Sequence, residues 1–117
     1  MRGYKELQVY KKGYKYVIEM YKITERLPEE EKYGLKSQIR RAAMSIPLTI
    51  AEGYGKDDTK AELKRFLRMA KGSAAELEVL MDICKDLGYM NEEEHDMYEK
   101  EAEEIGKMLH GLINSIG

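Results

Sequence analysis

Three short breaks cut the chain into four amphipathic stretches, and that division limits the fold more than any single motif does. The first break is Leu27-Pro28 with three glutamates behind it, the second is Gly53-Tyr54-Gly55, and the third is Gly88 followed closely by Asn91. Proline cannot continue a helix, and glycine leaves one through a left-handed turn, so each break ends a helix. Asp57, Asp58 or Thr59 can cap the helix after the second break, and Asn91 the helix after the third. Between the breaks, apolar residues recur at steps of three and four, the spacing of one helix face. The spacing predicts helices over residues 4–27, 33–53, 59–87 and 91–116. Connections this short make consecutive helices antiparallel, so the expected fold is an all-α, up-down-up-down four-helix bundle forming one domain over residues 1–117.

The second stretch carries an internal conflict. Leu35, Ile39, Ala42, Ala43, Ile46 and Ile50 form its apolar arc, yet Pro47 lies among them. Proline deletes a main-chain donor and crowds the carbonyl of Ala43, at about 3 kcal/mol in a helix interior, so a bend or a break is expected there. Beside the arc, Gln38, Arg41, Ser45 and Glu52 stack along one edge, half in and half out of water. Together with Glu76 of the third helix they are the candidate interface residues, a polar stripe at a helix or subunit boundary in which Arg41 pairs with Glu76. Arg40 is turned about 100° from Arg41 and is expected to lie outside that stripe.

The third helix has the longest apolar run, Leu63, Phe66, Leu67, Ala70, Ala74, Leu77, Leu80, Met81, Cys84 and Leu87. Gly72 and Ser73 interrupt it with small residues, which are expected to admit a neighbouring helix closely. Tyr98, Ala102, Ile105, Leu109, Leu112 and Ile116 give the fourth helix its stripe, and Glu92, Glu93 and Glu94 suit the positive end of its dipole.

In the first helix, Leu7, Tyr10, Tyr14, Val17 and Tyr21 have the spacing of a bundle seam. A tyrosine ring has a large apolar body and a hydroxyl that needs a partner or water, so two readings stand: a tyrosine-rich core, or a border with a neighbouring subunit. Lys11, Lys12, Lys15 and Lys22 lie on or near the other face and, with Arg40, are candidate nucleic-acid contacts; a solvated helix surface explains the same residues.

Charge is divided along the chain. Residues 1–56 hold twelve Lys or Arg against seven Asp or Glu, hence +5, and residues 57–117 hold eight against fifteen, hence −7. Such asymmetry serves either a basic face for RNA or DNA, or attraction between the two halves within or between subunits. A pI near 5.8 argues against strong general binding of nucleic acid. The single Cys84 excludes an intramolecular disulfide and reads as an inert core thiol. With no apolar run of signal-peptide or membrane-spanning length, the expectation is a cytoplasmic protein without a membrane partner.

Chemistry-bearing patterns are sparse. Carboxylate-bridged di-iron bundles need Glu-x-x-His on each of two helices and a further Glu from each of the other two. Glu92-x-x-His95 supplies one copy in an exposed first turn, and His110 has Lys107 in the place of the second glutamate. Cys84 has no evident base, and Gly53-Tyr54-Gly55 lacks the rest of a phosphate-binding loop. No catalytic residue, cofactor or metal is implied, and an enzyme is not expected.

The stretch QIRRAAMSIP followed by IAEG resembles the signature of the 23S ribosomal RNA intervening sequence family, small four-helix bundle proteins. The likeness extends to Leu27, Pro28, Glu31, Tyr33, Gly34 and Leu35, and to Phe66, Leu67, Ala70, Gly72, Ser73, Glu76 and Leu77. Thr49 departs from it, standing where the family usually has Asn. The resemblance implies a homopentamer. Through a distant similarity to accessory variability determinant proteins of diversity-generating retroelements, it also implies a barrel that engages nucleic acid and a nucleic-acid enzyme. Two functions follow: an oligomeric interaction scaffold, or a direct low-specificity RNA/DNA binder that uses the basic first and second helices.

Overall fold

The computed structural model describes residues 3–55 and 59–117. After a short 3-10 turn at Gly3–Glu6, four helices follow: α1 (Gln8–Thr24), α2 (Leu35–Gly55), α3 (Lys60–Asp86) and α4 (Glu92–Ser115). No strand occurs among the described residues. Each helix packs on the next, and α1 closes on α4 more lightly than on α2, so the bundle has a square cross-section, 44 × 23 × 20 Å in extent. Cross-helix contacts pair late residues of one helix with early residues of its neighbour. Arg26 of the α1 end meets Glu94 of the α4 start, and Arg40 of early α2 reaches Thr24 at the end of α1.

Local signals fix the helix ends. Thr59 accepts a hydrogen bond from the Glu62 amide at 3.1 Å and begins α3; Asp57 and Asp58 lie outside the described residues. Gly88, at φ +82°, ends α3 in a Schellman turn, with the Tyr89 amide donating to the Cys84 carbonyl and the Gly88 amide to that of Lys85. Asn91 and Glu94 then cap α4 reciprocally. At the start of α2, the Glu31 carboxylate accepts from the Leu35 amide at 3.2 Å and from the Tyr89 hydroxyl at 3.1 Å, which ties the first connection to the third.

Several expectations are corrected. Helix α2 is not broken at Pro47; it runs from Leu35 to Gly55 with Pro47 buried inside it. In α1 the buried face is Val9, Gly13, Tyr16, Val17 and Met20, so only Val17 of the expected seam is fully covered, and Tyr14 is 56% exposed. The cause is Gly13: a Cβ there would stand 2.8 Å from Ile46 Cγ2, so α1 lies close on α2 at this point. Seating Gly13 against Ile46 turns Tyr14, one residue on, about 100° away from the contact. Of the close approach expected at Gly72 and Ser73, only Ser73 makes one, its hydroxyl 2.9 Å from that of Ser45 in α2, whereas a Cβ at Gly72 meets nothing within 4 Å. Gly53 serves instead, its Cβ position lying 3.0 Å from Leu63 Cδ1 and 3.1 Å from Phe66 Cβ. Leu87 closes no part of the core, being 55% exposed, and Ile113 rather than Leu112 continues the buried face of α4. Cys84 is buried as expected, and burial pushes its thiol up to about 11, far from the reactive range.

Candidate interaction surface on the first helix pair

The rotation of α1 leaves an apolar face on the outside of the α1–α2 pair. Tyr4, Tyr10 and Tyr14 stand in sequence along it, with ring centroids 5.2 Å apart for the first pair and 6.2 Å for the second. With Ile18, Met44, Pro47 and Leu48 they line an open groove of about 330 Å³. A second groove, of about 690 Å³, shares Met44 and Leu48 and continues to Tyr21 and Tyr33. Ile18, Leu48 and Tyr33 are 45%, 53% and 88% exposed, values high for residues whose burial is worth roughly 1.5–3 kcal/mol each.

The polar stripe divides in this setting. Arg41, Ser45 and Glu52 line the larger groove together with Thr49, so the structure brings these three together. Gln38 and Glu76 are exposed. The expected pair of Arg41 with Glu76 does not form: among the described residues no ion pair joins them. Arg41 points into the groove, and α3 is met instead by Ser45, whose hydroxyl accepts from that of Ser73 at 2.9 Å. Thr49 returns its hydroxyl to the Ser45 carbonyl at 2.6 Å.

Arg40 takes the anchoring role assigned in the sequence to Arg41. Its guanidinium donates to Thr24 Oγ1 at 2.9 Å, to the Tyr21 carbonyl at 2.9 Å and to Glu25 at 3.0 Å, and it lies 4.4 Å from the Tyr21 ring centroid. These bonds hold the last turn of α1 onto α2. The Arg40 hydrogen bond, ahead of the charges of Lys36 and Arg40, holds the Glu25 carboxyl below its usual range.

The candidate cations are unevenly placed. Lys12 is half-buried and paired with Glu104 of α4 at 3.2 Å, and Lys11 stands 3.9 Å from Glu6. Lys15 and Lys22 are exposed beside Tyr14 and Tyr21 and have no ion pair among the described residues. Lys32, Lys36 and Arg41 add positive charge along the larger groove.

The sequence pattern that defines the 23S rRNA-intervening sequence protein family matches residues 5–111, which include both helices of this face and nearly all of the bundle. The chain belongs to that family. Among solved structures it is similar to a protein of unknown function from the S23 ribosomal protein family of Bacteroides thetaiotaomicron, with 22% identity and a TM-score of 0.82. The match covers 90% of this chain and 97% of the other, a likeness of fold. No curated protein matches the chain. Among the described residues, no helix is long and apolar enough to cross a membrane.

Two residue groups escaped the sequence reading. Glu92 is exposed and takes no part in any cluster with His95, which turns instead to Asp82 of α3 and Glu99 of its own helix. His95 and Glu99 are four apart, a spacing visible in the sequence; Asp82 joins them only through the register of the α3–α4 hairpin. In the α1–α4 seam, Glu19 and Glu101 face each other, and Glu19 Oε1 is buried without a donor.

Proposed function

We propose that the protein is a non-enzymatic helical scaffold that assembles with copies of itself through the α1–α2 face and associates with nucleic acid or a nucleic-acid enzyme. The observation that carries this reading is the exposed run Tyr14, Ile18, Leu48 and Tyr33 along two adjoining grooves, rimmed by Lys32, Lys36 and Arg41. Contiguous apolar surface with a polar rim is the composition of a protein interface, and isolated exposed apolar residues do not produce it. Family resemblance implies five copies. The test is mass in solution by light scattering, with and without RNA: about five times the 13.6 kDa chain mass supports the scaffold, and a monomer at micromolar concentration overturns it.

The second reading is direct binding of RNA or DNA, supported by Lys15 and Lys22 beside exposed Tyr14 and Tyr21, where cations and rings alternate. Affinity should then fall steeply with salt, because each phosphate contact releases condensed counterions. Charge reversal at Lys11, Lys15 and Lys22 should weaken it. Reversal at Lys12 should instead disturb the bond to Glu104.

A further inference from the structure

We propose that Asp82, His95 and Glu99 form a binding site for a divalent transition-metal ion of the zinc class, on the α3–α4 pair. One donor atom from each residue lies within 4.8 Å of the other two. His95 is 5% exposed, so its imidazole is held in place by packing, whereas Asp82 is exposed and its carboxylate can shift. From Nε2, Asp82 Oδ1 lies at 2.6 Å and Glu99 Oε2 at 3.5 Å.

Ligands about 2.0–2.1 Å from a tetrahedral ion are separated by roughly 3.3 Å. Glu99 already stands at that spacing from Nε2. Asp82 must withdraw from its 2.6 Å separation by about 0.7 Å to reach that spacing, a movement open to an exposed side chain in the last turns of α3. The other ring nitrogen is also provided for: Nδ1 lies 2.9 Å from Asp96 Oδ1, the carboxylate–histidine–metal arrangement that fixes the tautomer and makes Nε2 a better ligand.

Charge argues in the same direction. One imidazole faces three carboxylates, Asp82, Asp96 and Glu99, and a singly bonded Nε2–H satisfies only the nearer of the two on its side. A metal ligand must be a neutral imidazole, so the three carboxylates carry −3 in the bound state and a divalent cation brings the cluster to −1. Lys85 is the cation close enough to act on this group, and Glu78 adds a further negative charge beside Glu99. One nitrogen and two carboxylate oxygens suit zinc, cobalt or manganese, and the imidazole disfavours magnesium and calcium, which take oxygen ligands. Three protein ligands leave a fourth position open to water.

The test uses the full chain, stripped with a chelator and titrated with zinc by calorimetry and with cobalt by visible absorption. One equivalent of each should bind, and cobalt should give the intense absorption of a four-coordinate ion. Asp82→Asn and Glu99→Gln should each lower zinc affinity at least tenfold, and Asp96→Asn by a smaller factor, with circular dichroism unchanged. His110→Gln is the control, because that second histidine lies elsewhere, between Lys71 and Asn114, and its loss should not matter. Absence of binding at submillimolar zinc and cobalt would overturn the proposal. So would binding that survives both Asp82→Asn and Glu99→Gln, or that disappears in His110→Gln.

Discussion

The two halves of the bundle differ in how much of their surface they settle for themselves. In the α3–α4 hairpin both helix starts are capped by side chains, the turn closes on Gly88, and His95 is surrounded by partners from both helices. In the α1–α2 pair, α1 has Leu7 at its cap position and so no side-chain cap, and tyrosines with Leu48 and Ile18 face outward. Lys15 and Lys22 of the first pair stand beside exposed tyrosines and have no ion pair among the described residues. The comparison teaches where the chain spends its local specificity: both pairs keep exposed apolar residues, but only in the first do aromatic side chains and Leu48 gather along adjoining grooves with a basic rim. Breaking that contrast should have different consequences on the two sides.

The largest effect is expected in assembly. Leu48→Glu places a charge where both grooves meet, at a residue exposed enough that the single chain should still fold. Mass measured by light scattering should fall from about five chain masses to one. Val79→Glu, at a residue of α3 that is 57% exposed, should leave the mass unchanged. If the two variants behave alike, the halves do not differ as interfaces.

Next come the glycines, where opposite signs are expected. Gly13→Val drives a side chain into Ile46 and should cost about 3 kcal/mol in denaturant unfolding, the upper end of ordinary overpacking. Gly72→Ala enters open space on a helix and should stabilise by about 0.5–1 kcal/mol, through the conformational freedom removed from the unfolded chain.

Those two glycines also mark how much was legible in the sequence. Helix number, the turn at Gly88 and the cap at Asn91 could be read because each depends on neighbours within a few residues. Which face of α1 turns inward could not, because the tyrosine stripe and the buried stripe have the same spacing, and the choice depends on Ile46, 33 residues from Gly13. Gly72 looked like the packing glycine for the same reason: its spacing is right and its partner is missing. Arg40 and Arg41 differ by one step around the helix, and the position of the end of α1 decides which of them is anchored. The candidate surface was legible in its residues, since Arg41, Ser45 and Glu52 do share a groove, but their bonding was not.

Arg40→Ala should therefore cost about 1–2 kcal/mol, losing charged hydrogen bonds to Thr24, the Tyr21 carbonyl and Glu25. Arg41→Ala should change chain unfolding by no more than about 0.5 kcal/mol, as at other exposed positions. Equal effects would mean that the end of α1 is not held by Arg40.

The last effect is confined to a pH window and concerns the lighter of the two seams between the halves, α1 against α4. Burial, then the hydrogen bond and charge of Glu19, push the Glu101 carboxyl up to about 7, against the lowering influence of Lys12 and Lys15. When Glu101 keeps its proton it can donate to the buried Glu19 Oε1, which has no other donor. An unfolded chain releases that proton near the ordinary value of 4.5, so between there and about 7 the folded state holds the extra proton. By linkage, stability falls as pH rises across that window and is level on either side as far as this group is concerned. Glu101→Gln supplies a permanent N–H donor and no titrating proton. Its unfolding midpoint should lose this part of the pH slope, and the variant should gain most over the parent above pH 7. Urea unfolding at pH 5, 6 and 8 measures both changes; if parent and variant keep parallel profiles, the carboxyl pair is solvated and the seam between the halves carries no shared proton.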